Sequence, residues 1–381
     1  MERSKIKNIK AIQIFDSRGQ KTVEVELTTN LGKFSGSVPC GTSKGKFEAK
    51  TVETRKAIEN INEVIAPSLL GKFLANQKVI DKNLDKKLGA NTTLALSIAV
   101  LRAGAKERKI PLWKYISRLA LTKPKLPKPC VLLIEGGLHG KTGLDIQEFM
   151  VIPEGKSFQE QFSVAKKIYE KLKKVLRSRF GKNGVTLGLE GAFTPPLSDI
   201  KEALDLIMKV CQGYNVKIGL DCAASNIRKG KYDIFFYQKL IKDYPILFLE
   251  DPFGEDEWEK WQELNLKLKN QNSKLLIVGD DLTVTNQQRI SWAHKKRACN
   301  AVIIKPNQIG TVSEAIEAVK LAKSYDWKII VSHRSGETKD DFIADFAVGV
   351  GADFIKSGAP SKPERMTKYN RLLTIEKEFF N

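Results

Sequence analysis

Apolar and polar positions alternate strictly near the start of the chain, where Val23, Val25 and Leu27 interleave with Glu24, Glu26 and Thr28. A period of two puts each set on its own face of an extended strand, so the pattern predicts a half-exposed β-strand. Asn30-Leu31-Gly32-Lys33 follows as a hairpin turn, and residues 5–40 read as a short meander of strands. From about Lys50 to Leu121 helical patterns take over. Asn91-Thr92-Thr93 is expected to cap an apolar run from Leu94 to Ala105, whose small residues suit a buried helix. Thr122 to Pro129, with three prolines among lysines, reads as a linker.

Beyond the linker, apolar strand runs alternate with helical segments, the βαβα signature of a parallel sheet. What ends each run matters more than the runs themselves. Val216–Leu220 leads into Asp221, Ile246–Leu249 into Glu250, and Leu275–Gly279 into Asp280. Ala301–Ile304 leads into Lys305, Lys328–Ser332 into His333, and Asp353–Ile355 into Lys356. These six polar residues recur at intervals of about 23 to 30 residues, one strand, one helix and two loops each time. A single such residue is most simply a helix-capping charge; six in register are hard to ascribe to chance. In a (β/α)8 barrel all strand ends converge on one mouth, whereas a doubly wound open sheet would not bring six to a common centre. The predicted fold is therefore α/β, a (β/α)8 barrel over 125–381 preceded by a smaller α+β domain over 1–124.

Composition changes this picture little. Apolar residues at 42% and charged residues at 28% exclude a disordered chain, and no stretch reaches the ~20 apolar residues of a membrane span. No apolar signal-peptide core follows Met1, which points to a cytoplasmic protein. The five cysteines, Cys40, Cys130, Cys211, Cys222 and Cys299, form no CxxC pair or zinc spacing, as expected of reduced thiols. The net charge of +20 is the unusual figure, and a field of that sign attracts anions. Its lysines, as in Lys166-Lys167, Lys173-Lys174 and Lys295-Lys296, are spread through helix-like segments and read as solvated faces. Without an aromatic-rich recognition motif, nucleic-acid binding beyond non-specific charge attraction is not expected.

The strand ends imply a chemistry. Asp221, Glu250 and Asp280 on three consecutive strands would repel one another unless a cation sat among them. All-oxygen ligation without His or Cys points to a hard ion such as Mg²⁺ rather than zinc. Lys305 and Lys356 flank that position. Neighbouring positive charge would lower their pKa and free one as a general base, or each could simply pair with the carboxylates. His333-Arg334-Ser335-Gly336 offers imidazole, guanidinium, hydroxyl and backbone donors suited to a phosphate. Glu148 opens the strand Phe149–Ile152, and Glu190 sits in a Gly-flanked loop, Gly188-Leu189-Glu190-Gly191. Acids opposite a lysine base are what an elimination requires, one side taking a proton and the other protonating a leaving hydroxyl. The expected substrate is a phosphorylated carboxylate.

Longer stretches carry a resemblance over nearly the whole chain. They include Phe15-Asp-Ser-Arg-Gly, Val38-Pro-Cys-Gly-Thr-Ser-Lys-Gly ending in Glu48-Ala49, Gln147-Glu-Phe-Met and Gly219-Leu-Asp-Cys-Ala-Ala-Ser. Glu250-Asp-Pro-Phe, Val278-Gly-Asp-Asp-Leu-Thr-Val-Thr-Asn, Val331-Ser-His-Arg-Ser-Gly-Glu-Thr and Ile355-Lys-Ser-Gly-Ala-Pro follow in order. Together they resemble the enolase family, the 2-phosphoglycerate dehydratases of glycolysis. The resemblance implies that Asp221, Glu250 and Asp280 bind one Mg²⁺ and that Ser43, in a mobile loop from Cys40 to Gly45, closes over the substrate and helps bind a second. It implies Lys305 as the base at C2 and Lys356 as the charge opposite the developing enolate. Glu190, assisted by Glu148, would protonate the departing C3 hydroxyl, Arg334 and Ser335 would hold the phosphate, and His139 and His333 would line the pocket. It also implies at least a homodimer. A lysine base with one or two Mg²⁺ ions is the general arrangement for such sites.

The chain departs from the family pattern at Leu189, where Asp is usual before the acid, at Ala192 and Cys40, and at Lys141 after His139-Gly140. An apolar Leu189 is expected either to raise the pKa of Glu190 or to remove an orienting partner. Two other readings compete: a catalytically weak enolase-fold protein acting as a basic binding protein, and a superfamily enzyme acting on another carboxylate. Retention of the acids, both lysines, His-Arg-Ser and Ser43 together favours the dehydratase.

Overall fold

A computed structural model describes residues 4–41, 45–74, 76–140, 142–227, 230–271 and 274–380. The alternating segment near the start forms the middle of an antiparallel meander, β1 (Ile6–Phe15), β2 (Lys21–Thr29) and β3 (Gly32–Ser37). Val23, Val25 and Leu27 are fully buried, as their period requires. The helix Ala90–Glu107 packs against this sheet through Ala95 and Ala99. The approach is close enough that a Cβ on Gly36 would lie 2.3 Å from the Ala95 carbonyl oxygen. This is why the helix needs small residues.

That helix starts earlier than its sequence suggests. Gly89 is its N-cap and Asn91, Thr92 and Thr93 lie inside it, so they do not cap the run from Leu94. Their side chains bond outward instead. Asn91 pairs with both backbone groups of Val52, Thr92 donates to the Leu88 carbonyl and Thr93 to that of Gly310, 217 residues away. Side chains that read as a local cap thus tie the helix to its surroundings. Shorter helices, among them Thr54–Glu59, Gln77–Asn83 and Leu112–Ala120, complete this part. Of the expected linker, Lys128 and Pro129 already belong to the next strand.

The remainder closes into an eight-stranded barrel: β4 (Lys128–Glu135), β5 (Glu148–Pro153), β6 (Val216–Asp221), β7 (Ile246–Glu250), β8 (Leu276–Gly279), β9 (Ala301–Ile304), β10 (Lys328–Ser332) and β11 (Phe354–Lys356), which returns to β4. The six predicted strand-end residues all stand at carboxyl ends of β6 to β11 or directly after them. The barrel is not uniformly parallel, however. β5 runs antiparallel to both β4 and β6, because β4 and β5 are joined without the helical crossover that a parallel pair needs. Reversal of β5 puts its first residue, Glu148, at the mouth. Register then aligns Glu135, Glu148, Asp221 and Glu250 as cross-strand neighbours in one row along that rim.

The lysine pairs behave as solvated faces: Lys166, Lys167, Lys173, Lys174, Lys295 and Lys296 are all exposed. All five cysteines are free, and four of them, all but Cys40, are buried. Among the described residues, no helix is long and apolar enough to cross a membrane.

Candidate active site

Four acids side by side on one rim demand positive charge, and Lys356 supplies it from the opposite side of β4. Its Nζ lies 2.6 Å from Glu250 Oε2, 3.1 Å from Glu148 Oε2 and 3.2 Å from Asp221 Oδ2. Burial works against its charge, but Glu148, Glu250 and Asp221 outweigh it and hold the ammonium well above its usual range. The second lysine, Lys305, contacts Asp280 directly. Burial disfavours this charge too, yet Asp280 overcomes both burial and Arg334 and holds the ammonium above its ordinary value. That reverses the expected depression of Lys305. The neighbouring cations Arg334 and Lys356 do act in the predicted direction, but the adjacent carboxylate is stronger. Asp280 is itself oriented by Gln308 Nε2 at 3.0 Å, and Thr285 joins Gln308 to the Lys305 amide.

Glu190 owes its position to Glu135. The Glu135 carboxylate accepts the backbone N–H of Glu190 at 3.0 and 3.1 Å and that of Ala192 at 2.8 Å, pinning the loop from below. Gly188 must be glycine here, since a Cβ would sit 2.5 Å from that carboxylate. Burial would raise Glu190, but His333, His139 and Arg365 hold it well below the carboxylate range. Glu148 goes the other way: burial, with Glu190 and Asp221, outweighs Lys356 and raises it well above. The two acids are thus shifted in opposite directions, Glu190 down and Glu148 up.

His333 Nε2 approaches Glu190 Oε2 at 3.0 Å, off the ring N–H axis, while His139 Nδ1 stands 3.6 and 3.7 Å from Glu190 and Glu148. Burial pushes His333 down to about 4, so its ring is neutral at pH 7. Arg334 is engaged by Glu48 through two hydrogen bonds of 3.0 and 3.1 Å. Every described residue predicted for the site lines the same cavity except Glu250, which is fully buried and reaches the site through Lys356. The cavity that they line is small, with a volume of about 30 Å³. Ser43 and Lys141 lie outside the described residues.

The donor set suits a divalent cation. Burial, Asp221 and Asp280 push Glu250 well above the carboxylate range against the pull of Lys356, and its Oε1 is buried without a hydrogen-bond partner. An all-oxygen set with excess negative charge fits Mg²⁺. Among the described residues, the groups whose ligand atoms lie within 4.8 Å of one another are His139, Glu148 and Glu190, and Asp251, Asp280 and Asp281. Asp221, Glu250 and Asp280 do not form such a group; Lys356 contacts Asp221 and Glu250, and Lys305 contacts Asp280.

Several residues of this centre went unassigned in the sequence. Glu135 ends an apolar run, Val131–Ile134, in the same way as the six that were noticed, so its signal was present. Asp251, which accepts the amides of Asp280 and Asp281, directly follows Glu250. Arg365 stands alone in the first turn of the helix Pro363–Phe380, and no local pattern marks it.

Residues 6–116 match the family described as the enolase N-terminal domain, and residues 123–236 and 229–381 match the enolase C-terminal TIM barrel domain. A relative from Mastigamoeba balamuthi named enolase is 41% identical over 424 residues, covering 98% of this chain and 96% of its own. One from Dictyostelium discoideum named enolase B is 42% identical over 422 residues, covering 98% and 95%. Matches of both halves, in order and over the full length, coincide with a barrel mouth that carries the expected acids and lysines, and the chain belongs to the enolase family.

Proposed function

We propose that this chain is a phosphopyruvate hydratase, interconverting 2-phosphoglycerate and phosphoenolpyruvate with water as the other product. The observation that supports it best is topological. Lys305 follows β9 and Glu148 opens β5, four strands apart in a ring of eight, so base and acid face each other across the mouth. Elimination needs such opposition. Lys305, released from Asp280, takes the C2 proton; the C3–O bond breaks as the acid pair Glu190 and Glu148 delivers a proton to the leaving hydroxyl, and the C2=C3 bond forms. Lys356 keeps its charge throughout and faces the negative charge that builds on the substrate carboxylate. Arg334 and Ser335 take the phosphate, and His139 and His333 line the pocket.

Asp221, Glu250 and Asp280 would hold Mg²⁺, which when bound supplies Lewis-acid polarisation of the substrate carboxylate. Ser43 is assigned to a second ion on the family resemblance alone. We infer further that the protein acts in the cytoplasm, in glycolysis, as a homodimer or higher assembly, with its domains divided at 124/125. The test is appearance of ultraviolet absorbance from the enol phosphate when 2-phosphoglycerate and Mg²⁺ are added. Turnover is expected to stop with EDTA, return with excess Mg²⁺, and fall by about 10²–10⁴-fold in Lys305→Ala. No turnover at saturating Mg²⁺ would leave the basic-binding-protein reading in its place.

A further inference from the structure

We propose that Arg365 locks His333 in the Nε2–H tautomer, so that the imidazole can only donate toward Glu190 and cannot take a proton there. Arg365 is fully buried, and its Nη1 lies 2.5 Å from His333 Nδ1. A guanidinium has five N–H donors, no acceptor, and does not deprotonate in proteins. At that separation Nδ1 must therefore be the acceptor, which leaves the single proton of a neutral ring on Nε2. The opposite tautomer would set two N–H groups against each other at Nδ1 and leave an unprotonated Nε2 3.0 Å from Glu190 Oε2. Both contacts would be repulsive.

The arginine cannot swing away from this task. Nη1 also donates to the Arg334 carbonyl and Nη2 to that of Ser335, each at 2.6 Å, while Nη2 reaches Leu189 O at 3.4 Å. Arg365 is thereby tied to the segments that present Arg334, Ser335 and Glu190. Gly358 leaves the room: a Cβ there would lie 3.1 Å from both Arg365 Cδ and His333 Cε1. Fixing a ring by a partner at its far nitrogen is how proteins commonly select a tautomer. Arg365 is in this sense a positioning residue. Its kinetic consequence rests on the proposed dehydratase reading, whereas the tautomer itself does not.

The chain has only three histidines, His139, His294 and His333, so selective ¹⁵N-histidine labelling gives a readable spectrum. Long-range ¹H–¹⁵N correlations report the tautomer of each ring, and His139→Gln and His294→Gln variants assign the signals. In the unmodified protein His333 is expected wholly as Nε2–H; a proton found on Nδ1 overturns the proposal without any mutation at Arg365. In Arg365→Met, an Nδ1–H population should appear, and an unchanged Nε2–H ring in a folded variant overturns it. If that variant does not fold, Arg365→Lys still decides, because an ammonium is also a pure donor: Nε2–H retained supports the lock, Nδ1–H refutes it. On the dehydratase reading, kcat/KM falls roughly 10–100-fold in Arg365→Met and recovers in Arg365→Lys. A tautomer that changes in Arg365→Met with no kinetic loss would uphold the lock and remove His333 from the reaction.

Discussion

Glu48 holds both terminal nitrogens of Arg334, at 3.0 and 3.1 Å, in the fork geometry that a phosphate would otherwise occupy. The same carboxylate accepts the Gly45 amide at 3.1 Å, so the loop ahead of it and the guanidinium share one acceptor. On the proposed function, a substrate phosphate would compete with Glu48 for Arg334. Glu48→Gln removes the competing charge while keeping an acceptor for Gly45. It is expected to lower KM for 2-phosphoglycerate by roughly 3–10-fold, on the scale of one charge-assisted hydrogen bond, with kcat little changed. Steady-state kinetics decide the matter, and a KM that rises would mean that Glu48 orients Arg334 for the substrate instead.

Glu250 stands at the centre of crowded negative charge, next to Asp221 on one strand and to Asp280 beyond the next. On the proposed function, a divalent ion bound among these carboxylates would relieve this crowding. Glu250→Gln keeps an oxygen for Lys356, which now lies 2.6 Å away, yet removes one repelling charge. In EDTA the variant should melt higher than the unmodified protein, while Mg²⁺ should raise the melting temperature of the unmodified protein only. Thermal melts with and without Mg²⁺ test this, and equal shifts in both proteins would place the ion elsewhere.

Much of this site was legible because strand ends in a barrel share one mouth, so a recurring polar residue after an apolar run has a location as well as an identity. Glu148 shows where that logic stops. A parallel strand would have put the first residue of β5 at the far end of the barrel; only the reversal of β5, which depends on how β4 and β5 are joined, brings it to the rim. Lys305 shows a second limit. Residue types gave its neighbours, but whether Asp280 or the cations dominate its charge depends on distances that a sequence does not contain. Asn91 to Thr93 look like a cap because capping is local, yet Asn91 and Thr93 act over long range because their partners are fixed by packing. Arg365 left no signal at all, since its meaning lies in a nitrogen 32 residues away in the chain.

Glu135 is pushed up to about 8 by burial and by the charge of Glu190, so at pH 7 it is mainly the neutral acid. A carboxyl whose folded pKa exceeds its unfolded ~4.3 binds more protons in the folded state between those values. Its contribution is therefore fully present below pH ~4 and diminishes as pH rises to about 8. Glu135→Gln resembles the neutral acid and still accepts the amides of Glu190 and Ala192, so it should cost less than ~1 kcal/mol and flatten that decline. Glu135→Ala leaves those amides without an acceptor and should cost about 2–3 kcal/mol, with a larger loss of turnover as the Glu190 loop slackens. Urea melts at several pH values separate the two variants.

Arg102, on the helix Ala90–Glu107, crosses to the barrel segment after β10 and binds Asp340 through both terminal nitrogens, at 2.7 and 2.8 Å, with Asp341 at 2.9 Å. Asp340 in turn accepts the Ser37 amide from the end of β3, so one carboxylate joins helix, meander and barrel. Burial would raise Asp340, but Arg102 prevails and keeps it below the usual carboxylate value. The sign of the pH effect follows: the stabilisation is present above the unfolded value of ~3.9 and is lost as pH falls through the lower folded value. Asp340→Asn should leave the arginine partly uncompensated and cost roughly 3 kcal/mol at pH 7, towards the low end for a buried pair because Arg102 keeps some contact with solvent. Its acid unfolding should also be shallower than that of the unmodified protein. In the double variant Arg102→Met, Asp340→Asn the loss should be smaller than the sum of the single losses, since removing both charges leaves neither stranded. Strict additivity in that cycle would mean that the two side chains stabilise the seam independently.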